Sequence, residues 1–444
     1  MEKPLTQNLM AEPFTLPGGA VLPNRLVKAA LSEGLADVYN NPDERLIRLY
    51  TAWAHGGSGL ILSGNVMVDR DHVNRPGSMV IDGQEDRESY IRLAEAGRAG
   101  GNEFWMQIVH NGRQTDSSIN SEPLAPSAIP VDLGDHFCMP RAMTEEEILD
   151  AIARFAYASK VAKETGFTGV QLHGAHGYLV SQFLSPLTNK RTDRWGGSLE
   201  NRSRFCIETL RAMREAVGPS FPLAIKLNSA DFQRGGFTHD ESLAVVAMLN
   251  EESLDLLEIS GGTYEQMGMF GEDDEAAPVV KESTREREAY FLEYAESIRK
   301  IATMPLMVTG GFRTRGGIEE ALATGATDLI GLGRPVCVEP DLPARLVDGT
   351  VDEAYDYERR LFAEIELIPK FDENGNPIPG LLTSLTWYSW QLYLLGEGLP
   401  ADPDLPLLEG AMQAIAQDVQ ILQDWIEANR ARGVIVGPRV AVEA

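Results

Sequence analysis

Gly169-Val-Gln-Leu-His-Gly-Ala-His-Gly-Tyr178 is a short apolar run that ends in two histidines three residues apart and, two residues later, a tyrosine. A brief apolar segment bounded by glycine reads as a buried strand. Its end carries two imidazoles, His173 and His176, and the phenol of Tyr178. Donors and a proton source gathered at one strand end suit chemistry that polarises a carbonyl and delivers a proton. Downstream come Phe183-Leu-Ser-Pro186, Asn189-Lys-Arg-Thr-Asp-Arg-Trp-Gly-Gly197 and Glu200-Asn-Arg202.

Seven further runs of the same kind surround this one. They are Leu26–Ala30, Gly59–Leu62, Phe104–Val109, Leu223–Leu227, Leu256–Ile259, Leu306–Val308 and Leu329–Gly331. Amphipathic, helix-length segments separate them, among them Thr144–Lys163, Arg202–Val217, Asp240–Asn250, Glu288–Ile301 and Gly317–Ala323. Eight buried strands alternating with helices predict an α/β fold, a (β/α)8 barrel, over residues 1–345. The polar and glycine-rich positions Gln107, His173, Lys226, Ser260-Gly-Gly262, Thr309-Gly-Gly311 and Gly333-Arg334 fall at or just after strand ends, the face on which barrels build active sites. Residues 110–143 and 263–284 are long insertions, the second with the acidic patch Glu272-Asp-Asp-Glu275; loops of that length often act as lids.

The character changes over 346–444, which read as a helical C-terminal extension. Asp356–Ile368 is predicted helical, Leu381–Leu395 carries Trp387, Tyr388, Trp390 and Tyr393, and Pro400–Pro406 is a linker. Leu408, Met412, Ile415, Val419, Leu422 and Ile426 then recur at spacings of four and three, an apolar stripe ending near Gly433. Such a stripe predicts cover by the barrel or by a second subunit, and the aromatics could also wall the pocket; a homodimer is one expectation.

With 444 residues and 43% of them hydrophobic, the chain can bury a large core. The net charge of −27 offers no basic face to replace phosphate counterions, which disfavours nucleic acid and anionic membranes. Cys138, Cys206 and Cys337 are far apart, which argues against thiolate zinc or a cysteine-ligated iron–sulfur cluster and fits a reducing cytoplasm. The N-terminal residues lack the pattern of a signal peptide, and no run of 18 uninterrupted apolar residues occurs.

Glycines in Thr309-Gly-Gly-Phe312 and Gly331-Leu-Gly-Arg-Pro335 let backbone N–H groups approach an anion, and Arg334 adds charge, so the last two strand ends predict a phosphate site. No dinucleotide glycine fingerprint is present, which points to a mononucleotide such as FMN. Gln107 could meet a pyrimidine edge, Ser32 and the backbone around Ala30 the ring system, and Lys226 the region that becomes anionic on reduction; an ion pair is the structural alternative for Lys226. His173 and His176 could instead be satisfied structural residues, or metal ligands, although no acidic or thiol partner lies at ligand spacing; no metal is expected. Tyr178 could simply anchor a loop.

These motifs, together with Pro23-Asn-Arg-Leu-Val, Met106-Gln-Ile-Val-His-Asn-Gly-Arg113 and Glu258-Ile-Ser-Gly-Gly-Thr-Tyr264-Glu, resemble the Old Yellow Enzyme family of FMN-dependent ene-reductases over about three quarters of the chain. The resemblance implies non-covalent FMN at the barrel mouth, with Gln107 and Lys226 on ring and ribityl oxygens. Gly310, Gly311, Gly333 and Arg334 would hold the phosphate. It implies NADH or NADPH as hydride donor, an enone or enal as substrate, His173 and His176 as the carbonyl-polarising pair, and Tyr178 as proton donor. Ala30 replaces a common proline, Ser32 a threonine or cysteine, and Lys226 an arginine, which keeps charge but loses bidentate geometry. Iron–sulfur relatives such as 2,4-dienoyl-CoA reductases need cysteines and domains that are not found here. Alternatives are a flavin-dependent oxidase, demethylase or dehydrogenase, or a flavin-binding protein without catalysis.

Overall fold

Along each strand of the barrel, side chains alternate between its interior and the surrounding helices. The computed structural model describes residues 8–133, 137–260, 294–367 and 380–432, with side chains of the last segment from Ser384 onward. Its strands are β1 (Leu26–Lys28), β2 (Leu60–Met67), β3 (Glu103–Val109), β4 (Gly169–Gly174), β5 (Leu223–Asn228), β6 (Leu256–Ser260), β7 (Leu306–Thr309) and β8 (Leu329–Leu332). All pair in parallel with their neighbours, and β8 closes on β1 and β1 on β2, giving the (β/α)8 barrel.

The inward positions grade from apolar to polar along the strands. At the N-terminal end Val27, Leu60, Leu62, Trp105, Ala224, Leu256, Met307 and Leu329 form one interior cluster. A hairpin of Phe14–Thr15 and Val21–Leu22 adds Leu16 and Leu22 beneath it. Two residues further along, the same inward parity brings Gln107, Gln171, Lys226 and Glu258, all buried. The outward positions, such as Met106, Ile108, Val170, Leu172, Ile225, Leu227, Leu257 and Ile259, belong to the core shared with the helices.

The helices begin where their sequences supply caps. Glu145–Glu164 starts with a capping box in which Thr144 and Glu147 satisfy each other's backbone N–H groups, and His239–Leu249 repeats this with Thr238 and Glu241. Asp43, Ser198 and Thr314 cap Glu44–Ala54, Leu199–Val217 and Arg315–Thr324. The sequence-predicted helix Glu288–Ile301 is described only from Tyr294, and the 263–284 insertion with its lid reading lies outside the described residues.

The extension packs directly on the barrel. Its helices are Tyr357–Ile365, Gly380–Gly396 and Leu407–Ala431, and Leu361, Trp387, Tyr388, Leu392, Tyr393, Leu407 and Ala414 share one core with the barrel helices. Trp387 donates to Leu405 O at 3.0 Å, and Trp425 to Asn40 Oδ1 at 3.2 Å. The aromatic group is therefore chiefly core.

The expectation that the barrel could cover the apolar stripe is corrected. The last helix docks through Leu407, Gly410, Ala411, Ala414, Ile421, Trp425 and Asn429. A Cβ on Gly410 would come within 2.5 Å of Trp387, so small residues set the close approach of this face. Leu408, Met412, Ile415 and Val419 point outward, 48–69% exposed, and Leu422 and Ile426 are half-buried. Among the described residues no helix is long and apolar enough to cross a membrane.

Candidate active site

The end of β4 delivers His173, His176 and Tyr178 to one place. The His173 ring centroid lies 5.1 Å from that of His176 and 4.8 Å from that of Tyr178, both edge-to-face. Such clustering needs a tight turn: His176 has φ 61° and Gly177 φ 75°. A left-handed histidine is strained and needs support. Asn228 Oδ1 accepts from His176 N at 3.2 Å, and Gln114 Nε2 donates to His176 O at 3.1 Å, so both backbone groups of the turn are held.

Hydrogen bonding also fixes which nitrogens carry protons. Ala175 N donates to His173 Nδ1 at 3.2 Å, which leaves Nε2–H as the His173 donor. His176 Nε2 lies 2.7 Å from Ser260 Oγ. When the serine hydroxyl donates, Nδ1 becomes the N–H of His176. Burial first, and the Lys226 charge second, hold both imidazoles well below their ordinary range. Each is a neutral donor at neutral pH. Tyr178, 3% exposed, receives a contact from Asn65 Nδ2 at 3.4 Å; the same amide reaches Ser32 Oγ at 3.2 Å. Asn65 thus links the hydroxyls of Ser32 and Tyr178.

Beneath them runs a buried polar chain. Gln107 Nε2 donates to Gln171 Oε1 at 2.7 Å, and Gln171 Nε2 to Glu258 Oε2 at 2.9 Å. Lys226 Nζ lies 3.0 Å from Glu258 Oε1, as a charge contact without hydrogen-bond alignment. The ion-pair alternative for Lys226 is thus realised, at the position read as a cofactor contact.

On the opposite side, β7 and β8 pair Thr309 with Gly331. Gly310 and Gly311 follow with φ 114° and 82°, values at which a side chain would be strained. Gly333 caps the short turn Arg334–Cys337. Arg334 Nε lies 3.1 Å from Glu358 Oε1, and Arg313 also donates to that carboxylate. Burial pushes Glu358 up, but Arg313 and Arg334 bring it down to about 2, so it stays ionised. Tyr388 belongs to the same charged cluster. Consecutive left-handed glycines, a half-buried arginine and the orphaned buried Thr309 Oγ1 fit a mononucleotide phosphate. Ala30 and Ser32, after β1, lie across the β8–β1 closure from Gly333.

Sequence reading did not assign roles to Asn65, Gln171, Asn228, Glu258, Ser260 or Glu358. The strand alternation held a signal for Gln171 and Glu258, which share the parity of His173 and Ser260.

Asp69, His72 and His110 form another cluster whose ligand atoms lie within 4.8 Å of one another. Asp69 Oδ2 is 2.9 Å from His72 Nδ1 and 3.8 Å from His110 Nε2. Leu124 N donates to His72 Nε2, and Gly112 N to His110 Nδ1, each at 3.0 Å. Both rings therefore hold their protons toward Asp69, where a metal would have to bind. The cluster ties the loops after β2 and β3 to the barrel.

The family model of the NADH:flavin oxidoreductase / NADH oxidase family matches residues 10–353. The chain is 39% identical over 348 residues to the NADH-dependent flavin oxidoreductase nadA of Aspergillus parasiticus, covering 75% of this chain and 77% of that protein. A 2-naphthoyl-CoA reductase complex superposes with a TM-score of 0.70 at 30% identity, over 77% of this chain and 52% of that one. Morphinone reductase gives 0.65 at 25% identity, over 79% and 93%. The match over residues 10–353 takes in the whole closed barrel, and the chain belongs to the NADH:flavin oxidoreductase / NADH oxidase family, the FMN-dependent oxidoreductases related to Old Yellow Enzyme that use NADH or NADPH as hydride donor.

Proposed function

We propose that this oxidoreductase is an ene-reductase, acting on the activated C=C bond of α,β-unsaturated carbonyl compounds such as enones and enals. The observation that carries the reading is the contact of His173 with both His176 and Tyr178 at the end of β4. Bound FMN would supply the hydride-transfer chemistry between NADH or NADPH and the substrate.

His173 Nε2–H and His176 Nδ1–H would donate to the carbonyl oxygen, where negative charge grows as the β-carbon is reduced. A neutral imidazole can polarise a carbonyl without being a general acid. Tyr178 Oη would protonate the α-carbon, with Asn65 orienting the hydroxyl. Ser260 would fix the His176 tautomer by donating to Nε2. Gln107 would meet the flavin's pyrimidine edge, Lys226 its ring and ribityl oxygens, Ala30 and Ser32 its ring edge, and Gly310, Gly311, Gly333 and Arg334 its phosphate. Residues 1–345 would form the FMN-binding barrel and 346–444 the extension.

The exposed face Leu408, Met412, Ile415 and Val419 would be covered by a second copy of this chain. Its four-and-three spacing suits helix pairing, and Ala416 and Gln423 lie beside it, with Glu409 and Asp418 at its edges. A cytoplasmic location fits the cysteines Cys138, Cys206 and Cys337, all free thiols.

The test is an anaerobic reaction of the FMN-loaded protein with NADH and 2-cyclohexenone. Stoichiometric conversion to cyclohexanone supports the reading. Flavin reduction followed by no loss of the C=C bond with any of a panel of enones and enals would rule it out.

A further inference from the structure

The polar chain inside the barrel has a direction, and one buried charge sets it. Glu258 is fully buried on β6, opposite Lys226 on β5. As a carboxylate it only accepts hydrogen bonds. Gln171 must therefore turn its amide Nε2 toward Glu258 Oε2, which leaves its Oε1 facing Gln107. Gln107 in turn must give Nε2 to that oxygen, which leaves its own Oε1 uncommitted to the chain. A glutamine pair without the charge could flip as a unit at little cost, because its donors and acceptors would exchange places.

Register sets these groups on neighbouring strands, and the Gln171 side chain reaches past β5 to Glu258. Asn65 pairs with Gln107, Gln107 with Gln171, His173 with Lys226, and Lys226 with Glu258. The Gln107 backbone is itself pinned, its N–H donating to Ser63 Oγ at 2.9 Å. Glu258 thus touches both groups assigned above to the cofactor's pyrimidine edge, Lys226 directly and Gln107 through Gln171.

We propose that Glu258 is a positioning residue for FMN, orienting the Gln107 amide through Gln171 so that its carbonyl oxygen is left for the flavin imide N–H, and offsetting the Lys226 charge beside the same ring edge. This rests on the placement of Gln107 and Lys226 against the flavin proposed above. Two consequences follow. An acceptor aimed at the imide favours binding of FMN in either redox state. A half-neutralised Lys226 stabilises the anionic reduced flavin less than a lone ammonium would, which keeps the potential low.

The experiment measures the midpoint potential and the FMN dissociation constant of the holoprotein and of Glu258→Gln, Gln171→Leu and Lys226→Met. Glu258→Gln is expected to raise the potential by about 30 mV, a tenfold shift in favour of the two-electron reduced state. Lys226→Met is expected to lower it. Gln171→Leu is expected to leave the potential near that of the native protein while weakening FMN about tenfold, because it breaks the relay and keeps the ion pair. A Lys226→Met effect with an unchanged or lowered potential in Glu258→Gln overturns the role of Glu258. Native FMN affinity in Gln171→Leu overturns the relay, and this holds even if Glu258→Gln fails to fold. No effect of Lys226→Met on the potential would instead show that Lys226 does not face the ring, and the proposal would fall with that placement.

Discussion

Lys226 Nζ sits 3.0 Å from Glu258 Oε1 across two adjacent strands, so the cation at the barrel mouth is half of an ion pair. Burial chiefly, and the Lys226 charge second, keep the neighbouring His173 and His176 unprotonated. Substrate oxygen would therefore meet two neutral donors across the physiological range. The rate of flavin reoxidation by an enone should show no inflection near pH 6.5, where an ordinary histidine titrates. A clear break there, lost in His173→Asn, would mean that an imidazolium does the work.

Ser260 is expected to matter through His176 alone. Ser260→Ala removes the hydroxyl that sets the His176 tautomer, 2.7 Å from Nε2. Binding of a simple phenol, whose oxygen mimics the reduced carbonyl, should weaken by roughly 1 kcal/mol, the size of one neutral hydrogen bond. FMN binding should be unchanged, and a parallel loss of FMN would reassign the serine to the cofactor.

The phosphate assignment separates FMN from riboflavin. Acid precipitation of the yellow holoprotein should release one FMN per chain into the supernatant. Arg334→Ala should weaken FMN by roughly 1.5–3 kcal/mol, the range for a charge-assisted contact, and leave riboflavin affinity unchanged. Equal losses for both ligands in fluorescence titrations would remove Arg334 from the phosphate site.

Stability should fall on acidification. Burial, partly opposed by Asp69, lowers His110 to about 4, and His173 and His176 are also held down. The unfolded chain binds those protons near pH 6.5, and the folded chain does not. The His110 contribution is complete above about pH 6.5 and is lost as the pH drops toward about 4, by about 1.4 kcal/mol per pH unit, and His173 and His176 act in the same direction. Urea unfolding at stepped pH should show this slope, and His110→Asn should reduce it; an identical slope would contradict the assignment.

Self-association should depend on the exposed stripe. Light scattering of the native chain should give twice the 48.7 kDa monomer mass, and Ile415→Glu with Val419→Glu should give the monomer with its flavin retained. A monomeric native chain would exclude the second copy.

The barrel was legible because its strands are short apolar runs of fixed parity, and every predicted strand lies within a few residues of an observed one. β2 was read short. Ser63-Gly64-Asn65 interrupts its apolar pattern, and the register shifts between Leu62 and Asn65. His173, His176 and Tyr178 stood out because the turn that unites them is local in sequence. Glu258 and Glu358 did not, since the partners of Glu258 come from other strands and those of Glu358, itself on the extension, come from the barrel. The last helix misled for a different reason. Bulky residues mark its free side, whereas Gly410, Ala411 and Ala414 let the docked side come close. Hydrophobic weight alone picks the wrong face there.

Tyr178 would give a proton to substrate carbon beside two imidazole donors. Anaerobic rapid mixing of the native protein and Tyr178→Phe tests it, first with NADH and then with 2-cyclohexenone. Reduction of the flavin should proceed at nearly the native rate in the variant, while reoxidation by the enone should slow by about 10²–10⁴-fold, the usual contribution of a general acid. Equal slowing of both steps, or native reoxidation in Tyr178→Phe, would contradict it.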